Sequence, residues 1–235
     1  MSKTILLIGS SGGLGSVISS WFAARDYKLA LHYFKHEPKV VPANAKIYKA
    51  DITAEDQVKK MIDQVISDFG KVDVVINNAG VSKSEMSWKI SSENWSDTLA
   101  VNLNGPFFVS KYILPHMRSN NFGRIIFMSS VVAQQGFIGT AAYAASKAGL
   151  IGLTKTLAKE AASKNITVNA IAPGYFSAGM INDVSPELQE QLKKQIPVGA
   201  LGKPEEIAAL IEYLISENAS YLTGQTVGLN GGLSS

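Results

Sequence analysis

Tyr143 and Lys147 lie four residues apart in the Ala-rich run AAYAASKAG, the second half of the stretch Ser129–Gly149. On a helix that spacing stacks phenol and ammonium on one face, one turn apart. A fixed positive charge beside a phenol favours the phenolate and lowers a pKa that starts near about 10. Such a tyrosine can exchange a proton with a substrate near neutral pH. In isolation the pair reads more readily as an ordinary helix-surface contact, so its chemistry depends on the rest of the chain. A second chemical signal is Gly9-Ser10-Ser11-Gly12-Gly13-Leu14-Gly15. Glycines let the backbone approach a pyrophosphate, and a helix opening there supplies free N–H groups and a positive dipole end. The spacing is G-x-x-x-G-x-G, not G-x-G-x-x-G, and it lacks the Lys-[Ser/Thr] pair of a triphosphate loop.

Other chemistries find few residues. The 235-residue chain has no cysteine and three histidines. His32 and His36 flank a strand end and a loop, so no metal site is expected. Hydrophobic residues at 46% and charged residues at 17% describe a globular chain, not a disordered one. The net charge of +3 comes without a basic run, which speaks against a nucleic-acid partner. No apolar run approaches the roughly 18 residues of a membrane helix. The opening MSKTILLIGSSGG reads as a strand and not a signal peptide, so a cytoplasmic enzyme is expected.

The elements that must position these residues follow from periodicity. Strands are expected at Thr4–Ile8, Leu29–His32, Ile47–Ala50, Val72–Ile76, Arg124–Met128, Thr167–Ile171 and Thr226–Leu229. Helices are expected near Leu14–Ala24, Trp95–Met117, Tyr143–Ser163 and Glu205–Ile215. Between Glu55 and Phe69 the residues Val58, Met61, Ile62, Val65, Ile66 and Phe69 form a 3.6-residue stripe. Nearly continuous apolar strands alternating with such helices predict an α/β fold, a doubly wound, Rossmann-like parallel sheet of seven strands with helices on both faces. No linker or repeat divides the chain, so one domain over 1–235 is expected. Ligands in this architecture sit beyond the carboxyl ends of the strands. Gly9–Gly15, Asn77–Gly80, Ser129–Ser130 and Pro173–Gly174 all fall there.

With these motifs in this order, the chain resembles the short-chain dehydrogenase/reductase family over nearly its whole length. The matching positions are Gly9-x-x-x-Gly13-x-Gly15, Asp51, Asn77-Asn78-Ala79-Gly80, Asn102, Ser130, Tyr143-x-x-x-Lys147 and Pro173-Gly174. The resemblance implies a catalytic tetrad of Asn102, Ser130, Tyr143 and Lys147. Tyr143 would donate the proton and Ser130 would orient the substrate oxygen. Lys147 would lower the phenol pKa and bind the nicotinamide ribose, and Asn102 would hold a water linking Lys147 to solvent. It further implies a nicotinamide dinucleotide held by Gly9, Ser11, Gly13, Leu14, Gly15, Lys35, Asp51, Ile52, Asn78, Ala79, Gly80, Tyr143, Lys147, Pro173 and Gly174. Asp51 would face the adenine amino group; it also reads as an acid ahead of the Glu55 helix. No metal is implied.

An acid ending the second strand would select NAD, whereas a basic residue suits the 2′-phosphate of NADP. That position is Tyr33, and Lys35 with His32 and His36 nearby favours NADP(H), with NAD(H) possible. Two departures bear on cofactor geometry. The family usually has Thr before the first glycine, where this chain has Ile8. A Thr expected after Pro-Gly is replaced by Ala178, with Ser177 adjacent.

The segment 175–201 reads as a substrate lid. Tyr175, Phe176, Met180 and Ile181, with Phe137 and Ile138, suggest an aliphatic or acyl substrate or ordinary lid packing. GRIIFMSSVVAQQG, AAYAASKAGLIGLTKTLAKE and TGQTVGLNGG are most similar to the 3-oxoacyl-acyl-carrier-protein reductases. That implies reduction of a 3-oxoacyl thioester in fatty acid biosynthesis, with acyl carrier protein or CoA as the thioester partner. Reduction of another ketone, and a non-catalytic cofactor-binding regulator, are the alternatives. Lys164 falls where a basic carrier-docking residue is expected, but the second such position is Asn121, with Arg118 nearby. Apolar and small residues on several faces of the Tyr143–Ser163 helix suggest subunit packing, and the resemblance implies a homotetramer.

Overall fold

A computed structural model of the protein describes residues 2–179, 181 and 184–234. Seven strands, β1 (Lys3–Ile8), β2 (Tyr27–Tyr33), β3 (Ala45–Lys49), β4 (Val74–Asn77), β5 (Gly123–Met128), β6 (Ile166–Pro173) and β7 (Thr226–Leu229), form one sheet in the order β3-β2-β1-β4-β5-β6-β7. Every pairing is parallel. This is the doubly wound sheet expected from the alternating pattern. Its topological switch point lies between β1 and β4, where Ile8 pairs with Asn77.

Alternation along the strands splits the core into two layers. Leu6, Ile8, Val75, Ile125 and Phe127 face helices α2 (Glu55–Phe69), α4 (Gly105–Ser119) and α6 (Ala141–Ala161). Ile5, Leu7, Val74, Ile76 and Ile126 face α1 (Gly13–Ala23) and α8 (Pro204–Leu214). The Val58–Met61–Ile62–Val65 stripe of α2 is buried in the first layer.

The structure corrects several boundaries. β2 begins at Tyr27 because its register with β1 starts at Lys3, so pairing carries polar ends that an apolar run misses. The expected single helix Trp95–Met117 is three pieces: α3 (Ser92–Leu99), a π-helical turn (Ala100–Asn104) and α4. Pro106 cannot donate to the Asn102 carbonyl four residues back, so the α ladder has to break there. The Gly105 N–H instead bonds to the Ala100 carbonyl. A four-residue helix α5 (Val132–Gln135) follows β5, and α7 (Pro186–Gln195) lies in the segment 175–201, its N-terminus capped by Ser185.

Candidate active site

The glycine turn connects β1 to α1. Gly9 has φ +81°, and a Cβ there would press on the Ala79 backbone at 2.7 Å. A Cβ at Gly15 would collide with the Gly9 carbonyl, and one at Gly13 with the Gly179 backbone. These glycines are therefore fixed by close approach. The Asn78 amide donates to the Gly9 carbonyl at 2.8 Å, and Asn78 and Ala79 N–H both bond to the Ile8 carbonyl. Asn78 and Ala79 thus brace the turn from the neighbouring strand end. Gly12 precedes α1 with no side-chain cap, and the first turn carries no acid. Its N–H groups, including those of Gly13, Leu14 and Gly15, are left for an anion, with Ser11 half-buried beside them. This cradle fits a dinucleotide pyrophosphate.

Asn77 carries a finding that the residue before the glycine turn foreshadows. Its side-chain Nδ2 and Oδ1 are buried with no hydrogen-bond partner, and its register neighbour is the fully buried Ile8. Threonine there would place a hydroxyl beside the amide; isoleucine leaves it orphaned.

Ser130 follows the end of β5 and accepts from the Val132 N–H at 3.2 Å, so α5 fixes its hydroxyl. The Ser129 hydroxyl donates to the Lys147 carbonyl at 2.9 Å, tying that strand end to α6. On α6 the Lys147 ammonium lies 5.7 Å from the Tyr143 ring centroid and donates to the Met128 carbonyl at 2.7 Å. Burial pushes the Lys147 pKa down to about 8. Burial also raises Tyr143 above its ordinary value of 10; the Ser130 hydroxyl pulls it down and Tyr175 pushes it further up. Lys147 is not among the causes of the Tyr143 shift. Desolvation governs both groups, and the ammonium is engaged with a carbonyl.

Asn102 sits in the π turn, fully buried. Its Oδ1 accepts from the Val81 N–H at 2.8 Å, and its Nδ2 donates to the Val81 carbonyl and to the Ser146 hydroxyl. Ser146 in turn donates to the Tyr143 carbonyl at 2.7 Å. Between the two sides lies Gly80, whose added Cβ would meet Lys147 Nζ at 3.3 Å and Asn102 Oδ1 at 3.4 Å. The structure therefore gathers Asn102, Gly80, Ser130, Tyr143 and Lys147 at the strand ends. Pro173 and Gly174 close the same edge: Val131 N–H bonds to the Pro173 carbonyl and Gly174 N–H to the Leu229 carbonyl.

Other expected positions stand apart. Asp51 Oδ1 accepts from both the N–H and the hydroxyl of Thr53, a turn ahead of α2. Ile52 is buried under Gly105, where a Cβ would lie 2.8 Å from its Cδ1. Lys35 is exposed after β2, whereas the Tyr33 hydroxyl donates to Glu37 at 3.2 Å. His32 is not a cation beside Lys35. It is buried between Gly9 and Ala50, and burial lowers its pKa. Of the apolar lid set, Phe176 is core, packed with Ile171 and Ile207 and touching Gly202, while Phe137 and Ile138 are exposed. Met180 lies outside the described residues. Ser146 escaped notice as a site residue, because a serine inside a helix carries no motif of its own, and His32 was read only as a basic neighbour of Lys35. The π turn had a signal in Gly105-Pro106.

An open helix N-terminus at the switch point of a doubly wound sheet, one strand away from a Ser–Tyr–Lys group, defines a Rossmann-fold oxidoreductase. Comparison with known proteins narrows the class. A family model described as enoyl-(acyl carrier protein) reductase matches residues 8–234. The 3-oxoacyl-[acyl-carrier-protein] reductase FabG of Staphylococcus epidermidis is 40% identical over 242 residues, covering 99% of each chain. Acetoacetyl-CoA reductase of Shinella zoogloeoides is 40% identical over 237 residues, covering 99% of this chain and 98% of the relative. The FabG reductase of Thermotoga maritima is 38% identical, covering 98% and 97%. The chain belongs to the short-chain dehydrogenase/reductase family. It is an oxidoreductase acting on CH–OH or C=O groups.

Proposed function

We propose that the protein is an NADPH-dependent reductase of 3-oxoacyl thioesters, a single catalytic domain working as a homotetramer in the cytoplasm. The observation that carries this reading is the convergence of Ser130, Tyr143, Lys147 and Asn102 beside the glycine cradle. The names of the relatives, a 3-oxoacyl-carrier-protein reductase and an acetoacetyl-CoA reductase, support the substrate class.

NADPH supplies a hydride to the carbonyl carbon when bound. Ser130, held by Val132, donates a hydrogen bond to the carbonyl oxygen and orients it. Tyr143 keeps its proton at neutral pH because burial raises its pKa, and so stands ready as the acid for the forming alkoxide. Lys147, fixed by the Met128 carbonyl, would turn to the nicotinamide ribose and support proton return to the phenol. Asn102, across Gly80 from Lys147, would hold the connecting water. Asp51 would face the adenine, and exposed Lys35 would meet the 2′-phosphate. Glu37 on the Tyr33 hydroxyl is the opposing charge.

The test follows oxidation of NADPH and NADH with acetoacetyl-CoA, an acetoacetyl carrier-protein thioester and a ketone panel. Thioester turnover with a lower KM for NADPH is expected. A lower KM for NADH would overturn the cofactor choice. Turnover of a free ketone but no thioester would establish the second reading, which Asn121 in place of a basic docking residue favours. For assembly, Ala145, Ala148 and Gly152 form an exposed small-residue face of α6. A monomeric mass by light scattering would refute the tetramer.

A further inference from the structure

His32 is the one histidine buried at the cofactor end of the sheet, 2% exposed, in β2 between Ile8 of β1 and Tyr48 of β3. Gly9 N–H donates to its Nδ1 at 3.1 Å, and its Nε2 lies 3.0 Å from the Ala50 carbonyl. Backbone groups have fixed polarity: an N–H only donates and a carbonyl only accepts. The ring must therefore accept at Nδ1 and donate from Nε2, which leaves one neutral tautomer. The main chain of His32 joins in, since Ser10 N–H and Ser10 hydroxyl both donate to its carbonyl at 2.9 Å. Gly9 is thus held at both ends of its peptide units, its N–H by His32 and its carbonyl by Asn78. That carbonyl fills the space beside Gly15, so any rotation of Gly9 displaces the first turn of α1.

We propose that His32 is a positioning residue for the dinucleotide site: its Nε2-protonated imidazole locks the Gly9 turn to the Ala50–Asp51 end of β3 and so sets dinucleotide affinity. The inference rests on the reading of the glycine cradle as a nicotinamide dinucleotide site. A second proton, at Nδ1, would set N–H against the Gly9 N–H and open the lock. Burial disfavours that proton and lowers the His32 pKa, while the hydrogen bond to the Ala50 carbonyl and then the Asp51 carboxylate pull the other way. Tyr48, the neighbour on β3, turns its hydroxyl to Asp68 at 2.7 Å and stays protonated. The residues Gly9–Gly15 carry no titratable side chain. The lock is therefore closed above the ordinary histidine range and is lost as pH falls through the lowered His32 pKa.

The experiment compares wild type, His32→Phe and His32→Asn by NADPH fluorescence titration without substrate, and by hydrogen exchange of the segment 4–16 without dinucleotide. Thermal melting checks that each variant folds. His32→Phe should raise the NADPH Kd about tenfold near pH 7.5 and speed exchange at the Gly9 turn. His32→Asn, which keeps an acceptor near the Nδ1 position, should recover at least about threefold of that loss, and it carries the test should His32→Phe not fold. Wild-type Kd should rise more steeply than that of His32→Phe as pH falls below the ordinary histidine range, the 2′-phosphate of NADPH adding the same slope to both. Kd within twofold of wild type for both variants, or the same pH slope in wild type and His32→Phe, would overturn the proposal. Should wild type bind no dinucleotide near pH 7.5, the cofactor reading falls. The exchange measurement then still judges the lock, and unchanged exchange in both variants overturns it.

Discussion

Replacing Lys147 by methionine should make the protein more stable and catalytically inert. The ammonium sits almost fully buried with one carbonyl partner, at Met128. Its pKa falls from 10.5 to about 8 through burial alone. At about 1.4 kcal/mol per pH unit, holding the charge there costs the folded state about 3 kcal/mol near neutral pH. Methionine fills a similar volume without charge and forfeits a hydrogen bond worth about 1 kcal/mol, leaving a net gain of about 2 kcal/mol. Below about pH 8 lysine is protonated whether folded or unfolded, and the penalty is complete. Between about 8 and 10.5 the unfolded chain keeps a proton that the folded one has released, so raising pH stabilises the wild type. The advantage of Lys147→Met should therefore shrink by about 2–3 kcal/mol between pH 7 and 10. Urea unfolding of both proteins at matched concentration, without dinucleotide, reads this difference directly. Equal or lower stability of the variant at pH 7, or a difference that ignores pH, would refute the reasoning.

Tyr143→Phe should lower turnover by roughly 10²–10⁴ while leaving the NADPH Kd within a few-fold of wild type. Near-normal turnover, measured by NADPH consumption, would remove Tyr143 from the acid role. Gly15→Ala should weaken NADPH binding at least about tenfold, because its Cβ collides with the Gly9 carbonyl; titration showing unchanged affinity would contradict the close-packed turn. Ile8→Thr should supply the orphaned Asn77 amide with a partner. In a double-mutant cycle with Asn77→Ala, urea unfolding should show a favourable coupling of about 1 kcal/mol, and strict additivity would count against the hydroxyl reaching the amide.

Much of the architecture was legible because apolar alternation and helical stripes report burial directly. The sevenfold strand count, the α2 stripe and the strand-end clusters all rest on such patterns. The meeting of Ser130, Tyr143 and Lys147 came from the family resemblance, and the strand and helix placing them together were visible independently. What escaped notice depended on long-range pairing. His32 looked like a cation near a phosphate because its chain neighbours are Lys35 and His36; its real neighbours, Gly9 and Ala50, come from other strands. The Tyr143–Lys147 spacing suggested attraction between charges, but desolvation is set by surrounding packing that spacing does not encode. Phe176 read as a lid residue from its position after Pro-Gly, and only the approach of Gly202 shows it to be core.

The central place of β1 has a consequence for how the chain is made. Ile5 pairs with Leu29 on one side and with Val74 on the other. The first partner emerges soon after β1, the second roughly 70 residues on. At roughly 5–20 residues per second, one edge of β1 waits roughly 4–14 s for β4 during synthesis. That edge belongs to TILLI, an apolar, β-prone run flanked by a single lysine. Until Asn77 leaves the ribosome, the strand that carries the glycine turn is an open template for another nascent chain. The step most exposed to misassembly thus comes before the two halves of the cofactor cleft have met.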